Sequence, residues 1–190
     1  MKTLVISIKI FLFFTVLTGI IYPLLVTGIV QVIYPSKANG SMQMKGKIST
    51  GSLLIGQQFD SAIYFTSRPS AVSYNPLPSG GSNYGLTSAK LKALVEERRK
   101  QFIAFNHLDS LTSVPGEMLF ASASGLDPHI SPQSAFLQAE RIASARCFNP
   151  VQEQKLMQAI DSLTEPPQFF CLGEPRINVL LLNLETDKIR

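Results

Sequence analysis

Paired glycines in a loop let successive backbone N–H groups converge on one anion, and the stretch from Tyr74-Asn75 to Ser79-Gly80-Gly81-Ser82-Asn83 has that composition. It lacks the lysine that a phosphate-binding P-loop supplies, and it does not stand between a clear strand and a helix. Three readings follow for these residues: docking onto a partner, contact with a nucleotide, and a structural turn. A second group, Asp127, His129 and Ser131, has the residue types of a hydrolytic triad, or of a metal site completed by His107. Positions two apart in a proline-broken turn place nucleophile, base and orienter badly, and neither a nucleophile elbow nor a His-Glu-x-x-His helix is present. Turn formation by Asp127-Pro128 and helix capping by Ser131-Pro132 use the same residues, so no catalytic and no metal-binding residue is expected. Arg141 and Arg146 fall on a predicted helix, while Glu174 and Arg176 flank Pro175. A guanidinium–carboxylate pair between these elements would fix their packing; alternatively, the guanidinium groups would grip a partner's acidic loop. Cys147 and Cys171 are too few for a disulfide framework and lack metal-ligand spacing. Two buried free thiols are expected, or a pair in an oxidising compartment.

Positioning these groups requires a scaffold. Ser52-Leu53-Leu54-Ile55-Gly56 and Ile63-Tyr64-Phe65 read as strands. From Arg68 to Gly85 the density of proline and glycine forbids regular structure over most of a long loop, a kind of segment that in a compact domain is usually functional or disordered. Thr87 or Ser88 caps a predicted helix whose apolar Leu91, Leu94, Val95, Phe102 and Phe105 fall mostly on one face, ending near Asn106. Ser131-Pro132 starts a second helix that runs to about Arg146, and Asn149-Pro150 starts a third through Leu156, Ala159, Ile160 and Leu163. A strand rich in Val, Leu and Ile is expected over Ile177 to Leu184. The order is that of an α+β domain, with too few alternating units for a doubly wound sheet.

Ahead of this domain, no side chain from Ile10 to Ser36 is charged, and the run is longer than the ~20 apolar residues that cross a bilayer. Pro23 predicts a kink, and Gly19 and Gly28 with Thr15, Thr18 and Thr27 offer a face for another helix. The run is too long for a cleaved leader and has no small-residue cleavage site after Ile33, so a retained anchor is expected. Lys2 and Lys9 on one side and Lys37, Lys45 and Lys47 on the other leave charge counting silent on orientation. The 190 residues therefore divide into a short tail (1–9), a transmembrane helix (10–34), a linker (35–50) and one soluble domain (51–190). Net charge is +4, but the basic residues are scattered and carry no aromatic platform, which excludes a nucleic-acid partner.

Several blocks resemble the KdpC family, the single-span subunits of the Kdp potassium-transporting ATPase, a bacterial P-type pump complex. They are Gly51 to Gln57 with Phe59; Tyr64-Phe65 with Arg68-Pro69-Ser70-Ala71; Tyr74-Asn75 with Ser79 to Asn83; Ser124 to Ser131; Gln138 with Arg141 to Arg146; and Leu172-Gly173-Glu174-Pro175-Arg176 to Leu180. The blocks stand in family order behind a single N-terminal span. Leu86-Thr87-Ser88, Ala123 and Cys147 depart from the family pattern, outside its most distinctive blocks. The resemblance implies a non-catalytic accessory subunit of a high-affinity potassium import complex in the bacterial inner membrane, with its domain on the external, periplasmic face. Implied partners are a potassium-translocating subunit, an ATP-hydrolysing P-type subunit, a small accessory peptide and membrane lipid. Implied site residues are the loop Tyr74, Asn75 and Ser79 to Asn83, together with Arg68, Asp127, His129, Arg141, Arg146, Glu174 and Arg176 in docking or packing. The family loop has also been compared to an ATP-binding signature. That implies an alternative, a catalytic chaperone raising the ATP affinity of the hydrolysing subunit, although an external domain cannot meet cytoplasmic ATP. ATP is otherwise expected only through the complex, with no cofactor of the chain's own. A stand-alone membrane-tethered binding module is the third reading.

Overall fold

A computed structural model describes residues 2–46 and 48–189. The chain forms two compact units, Met1–Ser52 and Leu53–Arg190.

The first unit is dominated by one continuous helical run of 32 residues, Lys2–Ile33, which at ~1.5 Å per residue is about 48 Å long. It consists of α1 (Lys2–Val16), a π-turn over Leu17–Ile21 and α2 (Tyr22–Ile33), with no buried residue in any of them. The π-turn lies just before Pro23, where a kink is predicted. Proline has no N–H to give to the carbonyl four residues back, and just before it the Tyr22 N–H reaches Leu17 O instead. A helical turn, α3 (Pro35–Ala38), and an antiparallel hairpin, β1 (Met42–Lys45) and β2 (Ile48–Ser52), follow. Regular structure thus occupies much of the stretch read as a linker.

In the second unit, residues 53–88 hold no helix or strand, an outcome that the breakers predicted for 68–85 but not for the segments before it. Of the strand expected at Ser52–Gly56, only Ser52 belongs to one, as the last residue of β2. The three predicted helices form where expected. The Ser88 side chain caps α4 (Ala89–Phe105), Ser131 caps α5 (Pro132–Ala145), and Asn149 closes a capping box on α6 (Pro150–Ser162). Each cap satisfies an N–H left orphaned by the first helical turn.

The strand expected over Ile177–Leu184 is a correction. Only β4 (Ile177–Asn178) is extended, pairing antiparallel with β3 (His129–Ile130), and Val179–Thr186 is helix α7. A short apolar run fits a buried strand or a buried helix equally well by pattern. Asn178 decides between them, since its side chain accepts the Leu181 N–H and starts a helix. Val179, Leu182, Asn183 and Thr186 are then buried together at helical spacing.

The core lies among α5, α6, α7 and the small β3–β4 sheet, where Ala135, Ala139, Ile142, Leu156, Ile160, Ile177 and Leu182 are buried. Phe65 joins them, but its segment is not the predicted strand. Its backbone groups bond to helix side chains rather than to a neighbouring strand. The Phe65 N–H donates to Asn183 Oδ1 (2.7 Å), the Asn183 amide donates back to Phe65 O (3.0 Å), and Thr66 N–H donates to Gln138 Oε1 (2.8 Å).

Candidate functional site

Three irregular segments meet in the second unit: residues 53–57, residues 68–83 and the turn 122–128. Backbone bonds join them, with Gly56 N–H to Leu126 O (2.7 Å), Gly80 N–H to Ser124 O (3.0 Å) and Ser122 N–H to Pro69 O (3.1 Å). Glycine is required where they press closest. A Cβ on Gly56 would lie 2.6 Å from Asp127 O. One on Gly125, whose φ is +70°, would lie 2.6 Å from Val72 Cγ2 and 2.9 Å from Gly80 O. Gly81 approaches the Ala123 carbonyl nearly as tightly, at 3.0 Å for an added Cβ.

The Ser-Gly-Gly-Ser loop is therefore built inward. Gly80 spends its N–H on Ser124, and neither Gly80 nor Gly81 takes the left-handed φ of an anion-binding nest. Tyr74, at φ +57°, donates its hydroxyl to Arg68 O (2.6 Å) and its N–H to Ser70 Oγ (2.9 Å). Burial, with the Asp60 charge added, pushes that phenol up to about 12, so it remains a donor. Asn75 accepts the Leu77 N–H (3.1 Å), Asn83 adopts a left-handed φ of 52°, and Ser79 and Ser82 are exposed.

At one edge of this junction Arg68 Nη1 meets Asp127 Oδ2 at 2.8 Å, while Asp127 Oδ1 accepts the His129 N–H (3.0 Å) and lies 3.6 Å from His129 Nδ1. Burial alone would raise the Asp127 carboxyl. Hydrogen bonds from the His129 side chain and N–H, and the charge and hydrogen bond of Arg68, outweigh it and hold the group at about 2. Ser131 caps α5 instead of joining Asp127 and His129, and its own N–H donates to Glu117 Oε1 (2.7 Å). His107 is exposed just past α4. Among the described residues no cluster of three His, Cys, Asp or Glu side chains could hold a metal ion. A hollow of about 530 Å3 opens at the junction between Leu54, Ile55, Arg68, Ala123 and Asp127.

The other candidate residues lie elsewhere in the unit. Arg141, only 2% exposed, donates to Asn106 Oδ1 (2.9 Å), to Tyr64 O (3.0 Å), to Gln138 Oε1 (3.2 Å) and to Ala62 O. Its guanidinium also stacks over Phe105, 4.4 Å from the ring centroid. All of these acceptors are neutral, and burial lowers its pKa to about 10, leaving it charged at neutral pH. Arg146 donates to Ile63 O (2.8 Å) and pairs with Asp187 (2.9 Å), not with Glu174. Arg176 pairs with Glu165 (3.1 Å) on an exposed surface where Glu174 is also exposed. Cys147 and Cys171 are free as expected, but both are exposed rather than buried.

Sequence reasoning assigned no role to Gln138, Asn106, Asn178 and Asn183, the buried amides that fasten the loops. The Asn178 amide, for example, donates to Leu53 O (2.8 Å). A signal was present, because Gln138 and Asn183 fall on the apolar faces of their helices, where a polar group must find a partner.

A helix long and apolar enough to cross a membrane, followed by an α+β domain whose buried polar side chains fasten its loops, is the layout of a single-pass membrane subunit. Comparison with known proteins makes this particular. The family model described as KdpC, K+-transporting ATPase, c chain, matches residues 4–188, and the chain belongs to that family. Relatives named potassium-transporting ATPase KdpC subunit occur in Photorhabdus laumondii, 45% identical over 96% of this chain and 94% of the relative. Others are in Myxococcus xanthus, 46% identical over 91% and 82%, and in Geotalea uraniireducens, 43% identical over 100% and 99%.

Proposed function

We propose that this chain is a non-catalytic subunit of a potassium-importing ATPase. It assembles with the potassium-translocating subunit, the ATP-hydrolysing subunit and a small accessory peptide, and shapes ion access from the external, periplasmic side. In this reading the helix Lys2–Ile33 spans the inner membrane against partner helices, and the loop junction is a docking surface. The observation that carries it is the use of Gly80. Its N–H bonds to Ser124 O, so the loop is a preformed, inward-braced surface rather than a set of free donors awaiting phosphate. Apolar side chains stand outward around it, with Leu77 82% and Leu86 97% exposed, as a docking surface needs. Arg68, Asp127 and His129 brace the edge of that surface, Arg141 and Arg146 hold residues 62–64 of the same unit, and Glu174 with Arg176 is a separate exposed polar patch. The catalytic-chaperone alternative requires nucleotide at Ser79 to Asn83, and this bracing disfavours it.

The test is the side of the membrane on which the domain lies. With Cys147→Ser and Cys171→Ser as background, Ser110→Cys is introduced and intact cells are treated with an impermeant maleimide. Labelling of intact cells is expected. Protection that vanishes on permeabilisation would place the domain beside cytoplasmic ATP and overturn the proposal.

A further inference from the structure

Among its described residues the hairpin β1–β2 buries no apolar side chain. Its buried described residues are Ser41 and Ser52, with the Ser52 hydroxyl donating to Gly40 O (2.6 Å). Two of its apolar side chains point outward instead, Met42 at 48% and Met44 at 59% exposure. The irregularity in the ladder falls on β2, where Thr50 is the extra residue. β1 is therefore regular, and Met42 and Met44, two apart, share one face while Gln43 takes the other. A lone two-stranded hairpin is marginal in water, so one with its methionines outside needs a surface to lie on.

Its position and charge say which surface. The hairpin belongs to the same compact unit as the long apolar helix. The connection between them is tight, with Ala38 N–H to Tyr34 O (2.9 Å), Ser41 N–H to Ser36 O (2.9 Å) and the Asn39 side chain to Pro35 O (2.7 Å). Tyr34 ends the helix with the Lys37 ammonium 5.6 Å from its ring centroid, the pairing of aromatic and basic anchors that marks a membrane–water interface. No acidic residue precedes Asp60, whereas the sequence places Lys37, Lys45 and Lys47 within this connection and hairpin. Juxtamembrane lysines without acidic neighbours are drawn to anionic headgroups.

We infer that the hairpin 42–52 is an interfacial element that lays the Met42–Met44 face into the lipid headgroup boundary, with the lysine charge of residues 37–47 drawn to anionic lipid phosphates. This rests on α1–α2 spanning the membrane as proposed above. It adds a second lipid contact that fixes the angle at which the chain leaves the bilayer.

The test uses the full chain with Cys147→Ser and Cys171→Ser, reconstituted in phosphatidylcholine vesicles with or without phosphatidylglycerol. An environment-sensitive fluorophore is attached at Met42→Cys, Met44→Cys, Gln43→Cys or, as a mid-span control, Ile20→Cys, and quenched by brominated lipid. Labels at 42 and 44 should be quenched at least about twofold more than the label at 43, as for side chains ~5–10 Å into the boundary. Phosphatidylglycerol should enhance this, and the enhancement should vanish in the Lys37→Gln/Lys45→Gln/Lys47→Gln variant. Equal, weak quenching at 42, 43 and 44 with strong quenching at 20 overturns the inference and leaves the span intact. Weak quenching at 20 removes the span itself, and the inference with it. In the assembled complex, labels at 42 and 44 that are blue-shifted yet unquenched would show a protein covering the face, which also overturns it.

Discussion

Residues 62–67 and residues 70–83 are both irregular and both fixed to the same domain, yet they are held by different chemistry. The first segment is gripped by long polar side chains. Arg141 reaches Ala62 O and Tyr64 O, Arg146 reaches Ile63 O, Asn183 brackets Phe65, and Gln138 takes Thr66. The second is held by backbone meeting backbone, with glycines removing the Cβ atoms that would keep the segments apart. A side-chain clamp concentrates stability in a few buried groups, each with several bonds at stake. A glycine-packed junction spreads it over shape, so its residues matter in proportion to what their missing Cβ would strike.

The sharpest break of that contrast is Arg141→Met, which removes the centre of the clamp and leaves buried acceptors on Ala62, Tyr64 and Asn106 without their donor. A loss of about 3–5 kcal/mol is expected, a large share of the ~5–15 kcal/mol that holds a typical domain together. Denaturant unfolding of the full chain in detergent, followed by circular dichroism, measures it. Arg141→Lys should recover only part, because one ammonium cannot span the set of acceptors that the planar fork reaches. Equal stability of the Met variant and the wild type would show that the clamp is not what holds residues 62–67.

On the glycine side the largest effect belongs to Gly125→Ala, which meets both a left-handed φ and close contacts with Val72 and Gly80. It should cost about 2–3 kcal/mol, and a thermal melt should register it as a fall of roughly 5–10 °C. Next comes Asp127→Asn, worth about 1–2 kcal/mol after allowing for the partial exposure of the pair. Its sign with pH is fixed by the carboxyl lying at about 2 when folded against an ordinary 3.8. The contribution is complete above the ordinary value and is lost as pH falls through the folded one. The melting temperatures of wild type and variant should therefore differ at neutral pH and converge between about pH 4 and 2. A gap that persists to pH 2 would mean the carboxylate is not the source.

What the sequence made legible follows the same divide. Helix starts were readable because Ser88, Ser131 and Asn149 are local signals that act within three residues. The long loop was readable from its prolines and glycines. Residues 63–65 misled because their β-like composition suits an extended chain, but apart from the Tyr64 N–H, which bonds to Ser61 O, the partners of their backbone come from α5, its C-cap Arg146 and α7, more than 70 positions away. No local pattern encodes such pairing. The run after Ile177 misled for a related reason, since nothing in Val-Leu-Leu-Leu distinguishes a buried strand from a buried helix until Asn178 caps it. Within the site, the sequence grouped Asp127 and His129 with Ser131 and picked out Arg68 apart from them; folding brings Arg68 to Asp127 and leaves Ser131 as a helix cap. The inward use of Gly80 and the fit of Gly56 and Gly125 depend on segments that meet only in three dimensions.

The smallest expected effect is also the one that separates the two functional readings. A Cβ on Gly80 would meet nothing within 4 Å, and its φ is one that alanine accepts. Gly80→Ala should then leave stability within about 0.5 kcal/mol of wild type, and the Gly80 N–H still reaches Ser124 O. If the loop is a braced docking surface, the assembled complex carrying this variant should show an unchanged KM for ATP. If the loop cradles phosphate, the added methyl stands where the nucleotide must approach the backbone, and KM for ATP should rise severalfold while the domain remains folded. The near-silent stability change is what makes the measurement decisive, because a shift in ATP dependence could not then be ascribed to a damaged fold.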